Sequence, residues 1–254
     1  MDSSCETGPA KETPEYYEAK VEARPDELAL ERSCAEVLRG VLDSQPGATV
    51  LDLCCGTGRS LSWILNHCNA RQVVGVDASP VYLEFARNRL AADERLELIE
   101  GDAVSVALPL AQWDVVLLSR AYHHIEDRRK LAFLQRVRRL LSASGRTVIA
   151  ESLLASYDES SPASYTKAIA DYYRQVLVGI ERERPDCPEH ICDDIREKTR
   201  IGRDDGGDHK VSANRLLKDL EDSFLRLLYQ QRVWPLGGSK ATTSSGSWVF
   251  LARR

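Results

Sequence analysis

Residues 1–13 are polar, include Gly8 and Pro9, and read as a loose tail. Helical periodicity starts after them. Pro25 followed by Asp26 and Glu27 suits a first helical turn, and Leu28, Cys34, Val37, Leu38, Val41 and Leu42 then form an apolar stripe that stops at Gln45-Pro46-Gly47. From Ala48 onward, short apolar runs (ATVLDL, QVVGVD, RLELIE, WDVVLLS and RTVIAES) alternate with longer amphipathic stretches at 58–67, 80–91 and 127–141. The last of these carries Leu131, Leu134, Val137 and Leu141 at helical spacing. Strands this apolar need cover on both faces, which predicts a mostly parallel sheet flanked by helices.

The rhythm breaks after Glu151. Residues 155–210 contain no strand-like run but carry Tyr157, Tyr165, Tyr172, Tyr173, several prolines and the polar turn GRDDGGDHK, which predicts an inserted lid. A short helix from about Ser212 to Glu221 precedes two last strand candidates, FLRLLYQQRVW and SWVFLA, joined by a Gly/Ser/Thr-rich loop at 237–247. The chain therefore divides into a tail with cap helices (1–47), an α/β core (48–152), a helical lid (153–222) and a terminal hairpin that completes the sheet (223–254). No internal repeat is present.

Composition narrows the function classes. A chain of 254 residues can bury a sizeable core, and 34 basic against 39 acidic residues give a net charge of -5, without the basic excess that general nucleic-acid binding requires. No apolar run approaches membrane-spanning length, and the first residues lack the apolar centre of a signal peptide, so a cytoplasmic protein without membrane contact is expected. Seven cysteines at irregular spacing fit reduced thiols better than a disulfide framework.

The chemistry concentrates at LDLCCGTGRSL, residues 51–61, where an apolar strand enters a glycine turn and then a helix. Such a junction offers free backbone N–H groups to a ligand. A dinucleotide is the first candidate, since Gly56-x-Gly58 begins a G-x-G-x-x-G pattern and Asp77 lies 19 residues past Gly58. Leu61, however, stands where the third glycine belongs, and the Asp52 carboxylate would repel a pyrophosphate by about 1–4 kcal/mol per charge pair at roughly 4 Å. A ligand bringing an ammonium group and no phosphate is favoured instead. S-adenosyl-L-methionine has that chemistry: an amine, a cationic sulfur and two ribose hydroxyls. Asp77 and Asp102, each at a strand end, suit a ribose and an adenine contact respectively. Cys54 and Cys55 are read as small structural thiols of the turn.

Over about 48–152 these segments resemble the class I S-adenosylmethionine-dependent methyltransferases. LDLCCGTG resembles the family's first motif, VVGVDAS its ribose-binding segment, IEGDAV its adenine-binding segment and WDVVLLSRAYHHI its fourth-strand segment. The resemblance implies an α/β fold with a Rossmann-like, mostly parallel seven-stranded sheet, an antiparallel C-terminal hairpin, N-terminal helices and a helical insertion after the fifth strand. It also implies cofactor contacts from Asp52, Cys54, Gly56, Gly58, Asp77, Ala78, Asp102, Ala103 and Ser119. The family usually has glycine where Cys54 stands.

Methyl transfer from a sulfonium needs alignment more than covalent help, and a base only where the acceptor must lose a proton. Tyr122, His123 and His124 follow the fourth strand directly and are the catalytic candidates, with either histidine as base or as a group that shapes the pocket. Tyr17 is expected to close over the cationic cofactor. In the lid, Tyr165, Tyr172, Arg174, His209 and Lys210 are candidate acceptor contacts. Cys187, His190 and Cys192 suit a turn, and no metal is assigned. The basic run Arg128, Arg129, Lys130, Arg136, Arg138 and Arg139 is expected to be solvated surface. The expected activity is methylation of a small molecule, such as a natural-product intermediate or amino acid derivative, by a monomer or homodimer. A tRNA-modifying enzyme and a non-methylating cofactor-binding scaffold are the alternatives.

Overall fold

The computed structural model describes residues 13–90, 93–110, 112–203, 208–237 and 241–254. The expected tail over residues 1–12, the end of the 80–91 helix, the centre of GRDDGGDHK and part of the 237–247 loop lie outside them.

Two helices precede the sheet. Helix α1 (Pro14–Ala23) is capped by Thr13, whose hydroxyl accepts the Tyr16 N–H at 3.2 Å, and α2 spans Pro25–Asp43. The break between them follows from Pro25, which pushes Arg24 into an extended conformation. The apolar stripe of α2 is buried through Leu30, Cys34, Leu38, Val41 and Leu42.

Strands β1 (Thr49–Leu53), β2 (Gln72–Asp77), β3 (Leu96–Glu100), β4 (Trp113–Ser119), β5 (Leu141–Leu153), β6 (Arg226–Trp234) and β7 (Gly246–Arg253) form one seven-stranded sheet in the order β3-β2-β1-β4-β5-β7-β6. The first five are parallel, and β7 runs antiparallel to both β5 and β6. Helices α3 (Arg59–His67), α4 (Pro80–Leu90) and α5 (Asp127–Leu140) make the crossovers, α6 (Pro162–Glu183) and α7 (Glu189–Ile201) form the insertion, and α8 (Ala213–Asp222) leads into β6. The fold matches the sequence-based expectation in class, strand count and hairpin. It departs at β5, which begins at Leu141, directly after α5.

The pleat explains why the strands are continuously apolar. Leu51, Leu53, Val74, Val76, Val116 and Leu118 face a core shared with α5 and α8, while Val50, Val73, Val115 and Leu117 face α2, α3 and α4. Asp52, by the same alternation, shares the face of Val50. The insertion has its own apolar cluster: Ile169, Tyr172, Tyr173 and Val176 of α6 meet Ile191 and Ile195 of α7, with Ala23 and Trp234. No helix among the described residues is long and apolar enough to cross a membrane.

Candidate active site

Strand order reverses between β1 and β4, so their connections leave in opposite directions and open a crevice above the carboxyl ends of the sheet. The glycine turn lies there. Cys54, Gly56 and Gly58 have φ values of 65°, 54° and 78°, all left-handed. The turn is pinned by Cys55 N–H donating to Val76 O at 2.9 Å and by Gly56 N–H donating to Asp77 Oδ2 at 2.8 Å. A Cβ on Gly58 would sit 3.0 Å from Leu90 and 3.1 Å from Ala86, so α4 closes against the turn only because that residue is glycine. Burial, followed by the charges of Asp52 and Asp77, pushes the Cys54 and Cys55 thiols well above their ordinary range. Thiols held in this way suit packing groups of the turn.

Asp52 is 1% exposed, and its Oδ1 has no hydrogen-bond partner among the described residues. Burial, then the charge of Asp77, raises its carboxyl well above the usual carboxylate range, against the pull of Arg120. Asp77 is oriented by the Gly56 and Ser79 amides, the latter at 2.9 Å. Ala78 follows it. Asp102 accepts from Val104 N–H at 2.9 Å and from Arg129 at 2.6 Å. Burial works against its charge, but Arg129 together with the Val104 amide and Ser105 holds the carboxyl below its usual range. Ala103 is buried beside it, and Ser119 ends β4.

Helix α1 lies over this turn. The Tyr17 ring meets Tyr82 edge-on at 5.9 Å, and a Cβ on Gly56 would sit 3.7 Å from Tyr82. Glu18 accepts the Thr57 hydroxyl at 2.5 Å, pairs with Arg59 at 2.7 Å and also binds Arg89, while Arg59 reaches Glu31 at 2.8 Å. Sequence reasoning missed this clamp, since nothing local to Glu18 announces partners on α3 and α4. It also missed Arg120, which is buried at φ 55° and paired with Glu27 at 3.4 Å.

The histidine pair sits on a single 3₁₀ turn, Tyr122–His124, just past β4. Here the structure corrects one catalytic candidate. Tyr122 is wholly buried and donates its hydroxyl to Asp219 at 2.7 Å, so it anchors the turn from below. His123 Nδ1 lies 2.8 Å from Glu151 Oε1. Glu151 also accepts the Tyr122, His123 and Ser152 N–H groups, and although burial opposes its charge, His123 and these bonds hold it at about 2. Burial pushes His123 below its usual value, with Glu151 opposing and Lys210 adding. A neutral ring that donates Nδ1–H to the Glu151 carboxylate leaves its Nε2 lone pair free. His124 is half-exposed, with Nδ1 3.0 Å from Asp208 Oδ1. Asp208 Oδ2 faces Lys210 at 3.6 Å, and His209 N–H donates to His123 O at 2.6 Å, so residues 208–210 of the insertion close onto the pair.

The remaining acceptor-contact candidates separate. Tyr172 is buried and donates its hydroxyl to Asp26 at 2.9 Å, within a network that includes Arg24, so its polar end faces the protein. Arg174 is exposed and paired with Asp171 on its own helix, and Tyr165 stacks edge-on against Tyr157 at 5.2 Å. Only His209 and Lys210 stand beside the histidines. The basic run is also corrected: Lys130 is fully buried, Arg129 holds Asp102, and Arg136 donates to Val106 O. His190 meets Tyr16 at 5.9 Å, and Cys187 and Cys192 are free thiols.

An open α/β sheet with acidic side chains near its switch point places the chain in the Rossmann-like class. Comparison with known proteins narrows this. Residues 50–145 match the family described as "Methyltransferase domain". A demethylmenaquinone methyltransferase of Clavibacter sepedonicus is 34% identical over 105 residues, covering 41% of this chain and 41% of that protein. An uncharacterised 37.1 kDa protein in transposon TN4556 of Streptomyces fradiae is 31% identical over 146 residues, covering 55% of this chain and 42% of its own length. The chain thus spans about two fifths of these relatives. Among solved structures, the 1,6-didemethyltoxoflavin-N1-methyltransferase of Burkholderia thailandensis superposes with a TM-score of 0.55 at 18% identity, covering 97% of this chain and 92% of that one. Over residues 50–145, the chain is thus similar to methyltransferase domains, and its fold is that of S-adenosylmethionine-dependent methyltransferases of known structure.

Proposed function

We propose that the protein transfers the methyl group of S-adenosylmethionine to a small-molecule acceptor held between the 3₁₀ turn and the insertion. The observation that carries this reading is the Asp52 carboxyl, buried beneath the left-handed turn with one oxygen lacking a partner. A ligand amine or sulfonium would supply the missing charge, whereas a pyrophosphate would aggravate it. Asp77 would take the ribose hydroxyls and Asp102 the adenine amine, while Tyr17 and the rest of α1 shield the cofactor from water. The cofactor supplies an activated methyl on a cationic sulfur. This chain's own residues align the acceptor and manage its proton. His123 is suited to accept that proton, because Glu151 fixes its tautomer and would stabilise the imidazolium formed when Nε2 is protonated.

The named activities of the similar proteins support an acceptor of modest size, and the acidic net charge weighs against a tRNA substrate. The test is incubation with methyl-labelled cofactor and either a metabolite extract or bulk tRNA. Label in a small product, with S-adenosylhomocysteine formed in equal amount, supports the proposal. Label in tRNA alone, or cofactor binding without demethylated product, rejects it. His124→Ala is expected to lower turnover while leaving cofactor affinity unchanged.

A further inference from the structure

We propose that His123, His124 and Asp208 form a binding site for one divalent transition-metal ion, with zinc the simplest occupant. Among the described residues, these three alone bring at least three histidine, cysteine or carboxylate groups to within ligand spacing, each offering one ligand atom within 4.8 Å of the others. The individual distances fit an ion. Asp208 Oδ1 lies 3.0 Å from His124 Nδ1 and 3.9 Å from His123 Nε2. A tetrahedral ion about 2.0–2.2 Å from nitrogen and oxygen ligands places those ligands roughly 3.3 Å apart, so the two Asp208 contacts need less than about 1 Å of adjustment, and the His123 and His124 nitrogens, within 4.8 Å of each other, at most about 1.5 Å.

The surroundings are arranged as they are around metal-binding histidines. Glu151, buried, has Oε1 2.8 Å from His123 Nδ1, so it takes the Nδ1–H and turns Nε2 toward Asp208, which is the carboxylate–histidine relay that fixes a ligating imidazole. The Lys210 ammonium lies 3.6 Å from the other Asp208 oxygen, Oδ2, so it orients the carboxylate without occupying the ligand oxygen. Without an ion, His124 Nδ1 and Asp208 Oδ1 lie at hydrogen-bond distance, 3.0 Å. With one, the ion would lie between these two atoms. Two imidazoles and one carboxylate leave positions open, and His124, 53% exposed at its side chain, marks the side from which water or an acceptor oxygen would complete the shell.

This inference goes beyond the methyl-transfer reading and changes how its proton is handled. An acceptor hydroxyl on the ion would become more acidic without needing the His123 lone pair. The ion site does not depend on Asp52 or the glycine turn, so it can be tested with neither cofactor nor acceptor present.

The experiment titrates the chelator-stripped full chain with Zn²⁺ by calorimetry, and with Co²⁺ by visible absorption. Expected is one ion per chain, with a cobalt spectrum typical of low coordination number. His124→Ala, at a half-exposed position, and Asp208→Asn, which keeps the side chain's shape at a largely buried one, should abolish binding while circular dichroism and cofactor affinity stay as in the unaltered chain. Glu151→Gln should weaken binding by about 10–100-fold, since it loosens the ring without removing a ligand. Cys187→Ser with Cys192→Ser should bind as before. The proposal is overturned if the unaltered chain takes up no ion, if His124→Ala and Asp208→Asn bind undiminished, or if the cysteine substitutions are what abolish binding.

Discussion

Asp52→Asn removes one charge and almost no volume, and its consequences for stability and for cofactor binding should run in opposite directions. In the folded chain the carboxyl is 1% exposed with an oxygen lacking a partner, and burial together with Asp77 raises its ionisation well above the ordinary value. In the unfolded chain it ionises near pH 3.9, the usual value for aspartate. Between these two points the folded state retains a proton that the unfolded state has lost, so stability falls as pH rises through the window. Asparagine removes that penalty. Each unit by which the folded-state ionisation is raised costs about 1.4 kcal/mol at pH values above it. For a chain of this size, 1 kcal/mol corresponds to roughly 2–4 °C in melting temperature. Asp52→Asn should therefore melt several degrees higher at neutral pH, and the gain should shrink toward zero near pH 4.

Cofactor binding should move the other way. A cation about 4 Å from the carboxylate gains about 1–4 kcal/mol for effective dielectrics from water to protein surface, so the variant should bind S-adenosylmethionine roughly five- to several-hundred-fold more weakly. Arg120, which already lowers the Asp52 ionisation, places the expectation in the lower part of that range. Thermal melts from pH 4 to 8 and calorimetry with the cofactor measure both effects. A variant that melts lower at neutral pH and binds the cofactor undiminished would refute the electrostatic reasoning.

Substitutions at three other positions probe the scaffold. Gly58→Ala combines a φ of 78° with a Cβ only 3.0–3.1 Å from Leu90 and Ala86, and should lose about 2–4 kcal/mol in urea denaturation; a loss under about 1 kcal/mol would deny that close approach. Cys54 holds φ 65°, so Cys54→Gly should be about 1 kcal/mol more stable than Cys54→Ala, which keeps the strain and loses the thiol's contacts; the reverse order in the same assay would contradict the left-handed turn. Lys130→Met leaves the Tyr122 and Ile125 carbonyls without their buried donor and should cost about 2 kcal/mol, with lower turnover and unchanged cofactor affinity; undiminished turnover would separate Lys130 from the histidine turn.

Most of the sheet was legible in the sequence because buried parallel strands leave an uninterrupted apolar signature and the carboxylates fall at its ends. The start of β5 was not, since Leu141 continues the apolar stripe of α5, and no residue there marks the change of period. The glycine turn was legible because its chemistry is local. Tyr122 was misjudged because position beside two histidines says nothing of direction: its ring enters the core and its hydroxyl finds Asp219 on α8. Asp208 was passed over because its partners are distant in the chain and meet it only when the insertion folds back.

Some of the missing information was present in another form. Lys130 precedes Phe133, Leu134 and Val137 at the three- and four-residue spacings of the buried face of α5, and Asp219 stands three residues after Leu216 on that of α8. A charged residue at an inward position must find partners inside, because a buried charge without one costs several kcal/mol. Lys130 donates to the Tyr122 and Ile125 carbonyls, Asp219 receives the Tyr122 hydroxyl, and Glu151 receives the Tyr122 and His123 amides of the turn and lies beside His123 Nδ1. The turn carrying the histidines is thus held by buried charged side chains from α5, α8 and β5. Apolar packing alone would tolerate small rotations of a three-residue turn, whereas these bonds fix where each ring nitrogen lies. That precision serves proton transfer and metal ligation alike, and the ion titration decides between them.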